Sequence, residues 1–304
     1  MSDSTSHTAG GGTADLAGRQ VSRIGFGAMQ LDRLRDDRPA AIRLIRRAVE
    51  LGVDHIDTAH FYGLGFMNDL LHEALRPEDA VTVVTKVGWE AVESGPVPLR
   101  LAQRPEQLRA GVEANLRSLG VDRLPVVNLR RADSGPALPV PPELVVDLDD
   151  QLAELTALRD EGLVEAIGLS STTIDVLRQA LPAGIVCVSN AYSLVDRSDE
   201  HMLELCAGAG IAWVPYFPLG SAFPGFPKVA DEPAVRAVAA QLAVTPAQVG
   251  LAWLLHHDAG ILPIPGTATL AHLEANVAAG SLCLDDEMMD ALDRIPTRVP
   301  DAPA

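Results

Sequence analysis

The sequence is poor in cysteine and in positive charge, and it lacks any long apolar run. Its three cysteines, Cys187, Cys206 and Cys283, are scattered and odd in number. That pattern supports no disulfide framework and reads as reduced, mostly buried thiols in a cytoplasmic protein. Lysine and arginine total 24 against 41 acidic residues, a net charge of −17. Such a balance argues against nucleic acid or an anionic membrane as a partner. It leaves room for an anionic cofactor, because a local basic pocket can outweigh the global field. No stretch is long and apolar enough to span a bilayer. Met1 to Gly12 is rich in Ser, Thr and Gly and has no signal-peptide core. The boundaries drawn are a disordered N-terminal tail over 1–19 and one domain over 20–304. No G-x-G-x-x-G lies at a strand-to-helix turn, which weighs against an open dinucleotide-binding sheet.

What the sequence does have is alternation. Nearly half of its 304 residues are apolar, enough for a sizeable core. Short apolar strands read at 23–29, 53–56, 81–86, 124–129, 164–169, 184–188, 211–214 and 261–264. Helical spacing fills the intervals, at 39–52, 66–75, 105–119, 143–161, 173–181, 198–209, 232–242, 246–257, 270–279 and 285–294. Buried strands alternating with helices imply a parallel sheet. Eight such units without a linker predict a single-domain α/β fold, a (β/α)8 TIM barrel. Active-site residues of that fold sit at strand C-terminal ends. Asp57, Lys86, Arg130, Ser170, Asn190, Tyr216 and Thr267 all fall there.

The stretch Ile56-Asp57-Thr58-Ala59-His60-Phe61-Tyr62-Gly63 carries the most chemistry. Asp57 ends a strand and Tyr62 follows in the loop. A phenol with a pKa of about 10 is a poor proton donor near neutrality. A neighbouring cation favours its ionised form, and Lys86 ends the next strand. Carboxylate, phenol and ammonium together make a general-acid group. The same residues also read as a structural ion pair beside an aromatic. His55, Asp57 and His60 read alternatively as a metal cluster. Of Arg130 and Arg131, strand alternation turns one inward. The run from Ile264 to Asn276 ends a strand and opens a helix that Thr267 or Thr269 can cap. Its amides suit a phosphate, or form an ordinary turn. Trp89, Phe223 and Phe226 line a substrate pocket or pack the loops.

Taken together, these segments resemble the aldo-keto reductase family. The resemblance runs from Arg23 to about Asp293. Its most specific parts are Ile56 to Gly63, Thr85-Lys86, Tyr216 to Gly220, and Ile264 to Asn276. It implies the barrel fold and reduction of aldehydes and ketones with NADPH, less often NADH. It assigns catalysis to Asp57, Tyr62 and Lys86. The family's fourth residue is a His, and the matching segment here is Leu129-Arg130-Arg131-Ala132-Asp133. Arg130 therefore takes that catalytic place, keeping a donor and adding permanent charge. For the nicotinamide end the resemblance implies Ser170, Ser171, Ser189 and Asn190, with Tyr216 stacked on the ring. Leu219 and Gly220 fall to the pyrophosphate, and Phe217 joins the cofactor set. Gly266, Thr267, His272 and Asn276 fall to the adenosine end, with His272 where Arg is usual. Gly27, Ala28 and Met29 join the cofactor set. Trp89 and Phe223 line the substrate pocket. Two other readings stay open, a cofactor-binding sensor without turnover and a metal-dependent hydrolase on His55, Asp57 and His60. The natural carbonyl and the oligomeric state are not legible.

Overall fold

Strands buried on both faces can hide their edges only by pairing with one another. The computed structural model of the chain, which describes residues 11–92, 99–131, 140–141, 144–221 and 226–298, shows that pairing. Strands β1 (Thr13–Leu16) and β2 (Arg19–Ser22) form an antiparallel hairpin. The wall begins with β3 (Phe26–Gly27), β4 (His55–Asp57) and β5 (Thr82–Val87). A second hairpin, β6 (Trp89–Ala91) with β7 (Leu99–Leu101), stands on the end of β5. The wall continues through β8 (Leu124–Arg130), β9 (Val164–Ser170), β10 (Ile185–Ser189) and β11 (Ala212–Trp213). Its seven strands pair in chain order and in parallel.

The eighth position closes the ring without forming a regular strand. Ile261 bridges Trp213 in parallel, and the Leu262 amide donates to the Trp213 carbonyl at 2.8 Å. On the other edge Gly25 and Gly27 donate to the Pro263 and Pro265 carbonyls, at 3.0 and 3.5 Å. Pro263 and Pro265 have no N–H to return, which leaves a one-sided ladder. This seam is tight. A Cβ on Gly27 would lie 2.7 Å from the Ile264 carbonyl oxygen, and one on Gly266 would lie 2.8 Å from that of Gly27. Gly27→Ala is expected to cost about 1–3 kcal/mol of stability through overpacking. Urea unfolding reads the loss, and an unchanged midpoint would show a seam able to yield.

Inside the ring, Val84, Val126, Ala166, Cys187, Ala212, Val214, Leu262 and Ile264 pack together, with Leu16 and Val21 of the first hairpin against them. The expected tail over 1–19 therefore ends too late. Its last residues form the hairpin, with Leu16 fully buried. Ala17 and Gly18 turn the chain with φ of +58° and +77°, the geometry of a two-residue hairpin turn. The helices match their spacing closely, as at Pro105–Leu119, which starts on Pro and ends at Gly120. The helix expected over 143–161 starts later, at Leu148, because the Asp147 carboxylate caps it by accepting from the Asp149 amide. Residue 143 lies outside the described residues. Among the described residues no single helix is long and apolar enough to cross a membrane.

Candidate active site

Asp57 and Lys86 end neighbouring strands, and both side chains are buried, 4% and 1% exposed. A buried ammonium is costly unless paired and hydrogen-bonded. Lys86 Nζ donates to Asp57 Oδ1 at 2.5 Å and to the Thr58 carbonyl at 3.1 Å. Burial pulls the Lys86 pKa down, but the attraction of Asp57 and Tyr62 outweighs it, and the pKa is raised. Lys86 Nζ lies 5.0 Å from the centre of the Tyr62 ring. Tyr62 begins a 3-10 turn, Tyr62–Gly65, and stands edge-on to Phe61 with ring centres 5.1 Å apart. Asp57, Tyr62 and Lys86 thus meet in one place. Asp57 Oδ2 is buried without a hydrogen-bond partner.

Alternation at the end of β8 sends the two arginines apart. Arg131 Nη1 donates to Gln151 Oε1 at 2.6 Å. The Arg130 guanidinium carbon lies 5.8 Å from the centre of the Tyr216 ring, within cation–π range. Among the described residues no carboxylate pairs with Arg130. Gln103 Nε2 holds the strand end by donating to the Arg130 carbonyl at 2.9 Å and to that of Gly88 at 2.5 Å. Gln151 Nε2 in turn donates to Gln103 Oε1 at 2.8 Å. Sequence reading missed both glutamines.

Arg130, Ser170 and Ser189 sit side by side, since Arg130 pairs in register with Ser170 and Ser170 with Ser189. The Ser170 and Ser189 hydroxyls are buried without partners. A buried polar atom without a partner asks for a water or a ligand. Ser171 instead meets the Tyr216 hydroxyl at 3.2 Å. Burial raises the Tyr216 pKa, against the lowering influence of Arg130 and Ser171.

Asn190 is fully buried, and its Nδ2 donates to the Thr172 carbonyl at 2.8 Å and to Asp199 Oδ2 at 2.7 Å. Its Oδ1 accepts from the Thr172 amide at 3.1 Å. These bonds use both ends of the amide inside the protein. Leu219 is half-buried, and Phe217 meets Tyr216 edge-on. Gly220 has φ +83°, and a Cβ there would lie 2.2 Å from the Pro227 carbonyl oxygen, so a tight turn accounts for this glycine.

Ala28 is buried and Met29 is 38% exposed, following Gly27 on the closing seam. Gly266 faces Gly27 and Gln30 across it. Thr267 Oγ1 accepts from the Thr269 amide at 3.1 Å, and Thr269 Oγ1 from the His272 amide at 3.4 Å. His272 is exposed and Asn276 is buried. Trp89 lines a cleft of about 330 Å³ with His60, Phe61, Leu64 and Lys86, against the helix Pro105–Leu119. Phe223 lies outside the described residues.

His55, Asp57 and His60, the residues of the metal alternative, are held apart. His55 packs against Gly25, where any Cβ would lie 2.2 Å from its ring. Asp57 is paired with Lys86, and His60 Nδ1 meets Ser118 Oγ at 3.3 Å. Among the described residues no three His, Cys, Asp or Glu side chains converge on a metal-sized site.

Comparison with known proteins identifies the family. A model of the Aldo/keto reductase family matches residues 23–296. Pyridoxine 4-dehydrogenase of Escherichia coli is 42% identical over 294 residues, covering 93% of this chain and 98% of the relative. An oxidoreductase of Schizosaccharomyces pombe, described as uncharacterized, is 36% identical over 290 residues, covering 93% and 89%. An aldo-keto reductase of Klebsiella pneumoniae crystallised with NADPH superposes with a TM-score of 0.78 over 96% of this chain and 98% of that one. Their identity is 23%, so that likeness is one of fold.

Proposed function

The chain belongs to the aldo/keto reductase family, and on that premise we propose that it reduces a small carbonyl compound to the alcohol with NADPH, Tyr62 giving the proton. The observation that carries this reading is the buried Lys86, paired with Asp57 at 2.5 Å and held 5.0 Å from the Tyr62 ring.

The residues present fit the cofactor. Ser170 and Ser189 offer two adjacent buried hydroxyls without partners, which suits a carboxamide. Tyr216 offers a ring face, and the helix Leu270–Ala278 offers amides at its start for a phosphate beside Thr267. When bound, NADPH supplies the hydride. Tyr62 passes its proton to the substrate oxygen. Lys86 steadies the phenolate left behind, and Asp57 keeps Lys86 charged. The reduced thiols fit a cytoplasmic setting.

By the family resemblance Arg130 stands where a His is usual, and its charged fork supports a choice of substrate. The Escherichia coli relative is named for dehydrogenating pyridoxine at its 4 position. The oxidised partner of that reaction is an aromatic aldehyde with a ring hydroxyl beside the carbonyl. A guanidinium presents parallel donors to two neighbouring oxygens. A pyridoxal-type aldehyde is therefore the substrate class we assign. Turnover of pyridoxal followed at the cofactor absorbance tests it. Arg130→Met is expected to raise KM for pyridoxal roughly tenfold to a hundredfold, the worth of hydrogen bonds to a charged group. It should affect an aldehyde without the ring hydroxyl much less. Equal losses on both would remove the fork from substrate choice. No consumption of NADPH with pyridoxal would remove the substrate class.

A further inference from the structure

Behind the Asp57–Lys86 pair lies a network of buried amides and hydroxyls. Thr58, Asn68 and Thr85 are fully buried and Asn115 is 1% exposed. Thr58 Oγ1 donates to Asn68 Oδ1 at 2.8 Å. Asn68 Nδ2 donates to Asn115 Oδ1 at 2.9 Å and to Ser118 Oγ at 3.0 Å. Thr85 Oγ1 donates to Asn115 Oδ1 at 2.5 Å. Asn115 Nδ2 donates to the carbonyls of Gly111 at 2.9 Å and Lys86 at 3.4 Å.

Two features separate this arrangement from ordinary packing. First, Asn115 is saturated and Asn68 makes three of its four possible bonds. Asn115 accepts twice and donates twice, and Asn68 accepts once and donates twice. Every partner is fixed, so neither side chain can flip without losing bonds. Second, the chain of bonds reaches Lys86 from two sides. It starts at Thr58, whose carbonyl accepts from Lys86 Nζ at 3.1 Å. It ends on Thr85 and on the carbonyl of Lys86 itself. A core that needed only volume here could use leucine, since apolar replacement of both partners in a buried hydrogen bond is often neutral.

We propose that Asn68 and Asn115 are positioning residues for the proton-donating group. They lock the backbones of Thr58 and Thr85–Lys86 from the helices Phe66–Ala74 and Pro105–Leu119, and so fix where Lys86 Nζ stands relative to Tyr62. The inference rests on Lys86 acting with Tyr62 as described above. Reactions that depend on such placement lose up to about a hundredfold for a displacement near 1 Å.

The test compares Asn115→Ala, Thr85→Val and Thr85→Ser with Lys86→Met in the full chain. Thr85→Val keeps the volume and removes one donor, so it folds where Asn115→Ala fails to. Its kcat is expected to fall roughly tenfold or more, with KM and the Kd for NADPH changed by less than about twofold. The decline of kcat at the alkaline end of the pH profile should move. Thr85→Ser restores the donor and should restore the rate. Wild-type kcat and pH profile in Thr85→Val, with Lys86→Met inactive, overturn the positioning role alone. Turnover by Lys86→Met overturns the reading beneath it, and this one with it.

Discussion

Tyr62→Phe is expected to lower kcat by about 10²–10⁴-fold, the usual worth of a positioned general acid, while NADPH binds as before. The substitution removes one oxygen and keeps the ring. That ring is half-buried and packs edge-on against Phe61 at 5.1 Å, so the turn Tyr62–Gly65 should hold its shape. Arg130 is a further cation at the mouth, but a guanidinium does not give up its proton. It can hold an oxygen without protonating it. The variant therefore separates binding from chemistry. Steady-state rates read the loss, and quenching of protein fluorescence by NADPH reads cofactor affinity. If turnover persists, a water molecule delivers the proton and Tyr62 is a lining residue. If affinity and rate fall together, Tyr62 holds ligands and the proton comes from elsewhere.

The barrel was legible because its strands are buried on both faces and so read as apolar runs. The charges that end them stand out, since a charge is rarely placed at the tip of a buried strand without purpose. Asp57, Lys86 and Arg130 were found this way. The first hairpin was not. Its strand Thr13-Ala14-Asp15-Leu16 buries only Leu16, too little periodicity to separate from a tail. The eighth strand was legible as an apolar run, but Pro263 and Pro265 reduce it to a bridge and one-sided bonds. The second layer was harder. Asn115 lies on the stripe that includes Leu108, Val112 and Leu119, all buried. A polar residue on an apolar stripe was a visible signal, though the sequence does not say what it bonds to. Asn190 poses the same difficulty. An amide after a strand can face a ligand or complete the backbone of a neighbour, and only geometry showed that Thr172 and Asp199 use it.

Lys86→Met should cost both the reaction and much of the stability. It leaves the Asp57 carboxylate buried, with Oδ1 stripped of its donor and Oδ2 already without a partner. Breaking one side of a buried ion pair typically costs about 3–5 kcal/mol. Adding Asp57→Asn to the same chain removes the stranded charge. The double variant should regain most of the stability and none of the activity, which separates the pair's chemical role from its structural one. Alkaline pH offers an independent reading. The folded-state pKa of Lys86 is raised above its ordinary 10.5, so the folded state binds this proton more tightly than the unfolded chain. The resulting stability is fully present below that ordinary value and is lost as pH climbs through the raised one. Urea unfolding of the wild type should therefore weaken above about pH 10.5, in a window where the double variant, lacking the ammonium, stays flatter. Parallel slopes in the two proteins would mean that Lys86 gains no extra hold on its proton from Asp57, and the buried charge would then need another source of support.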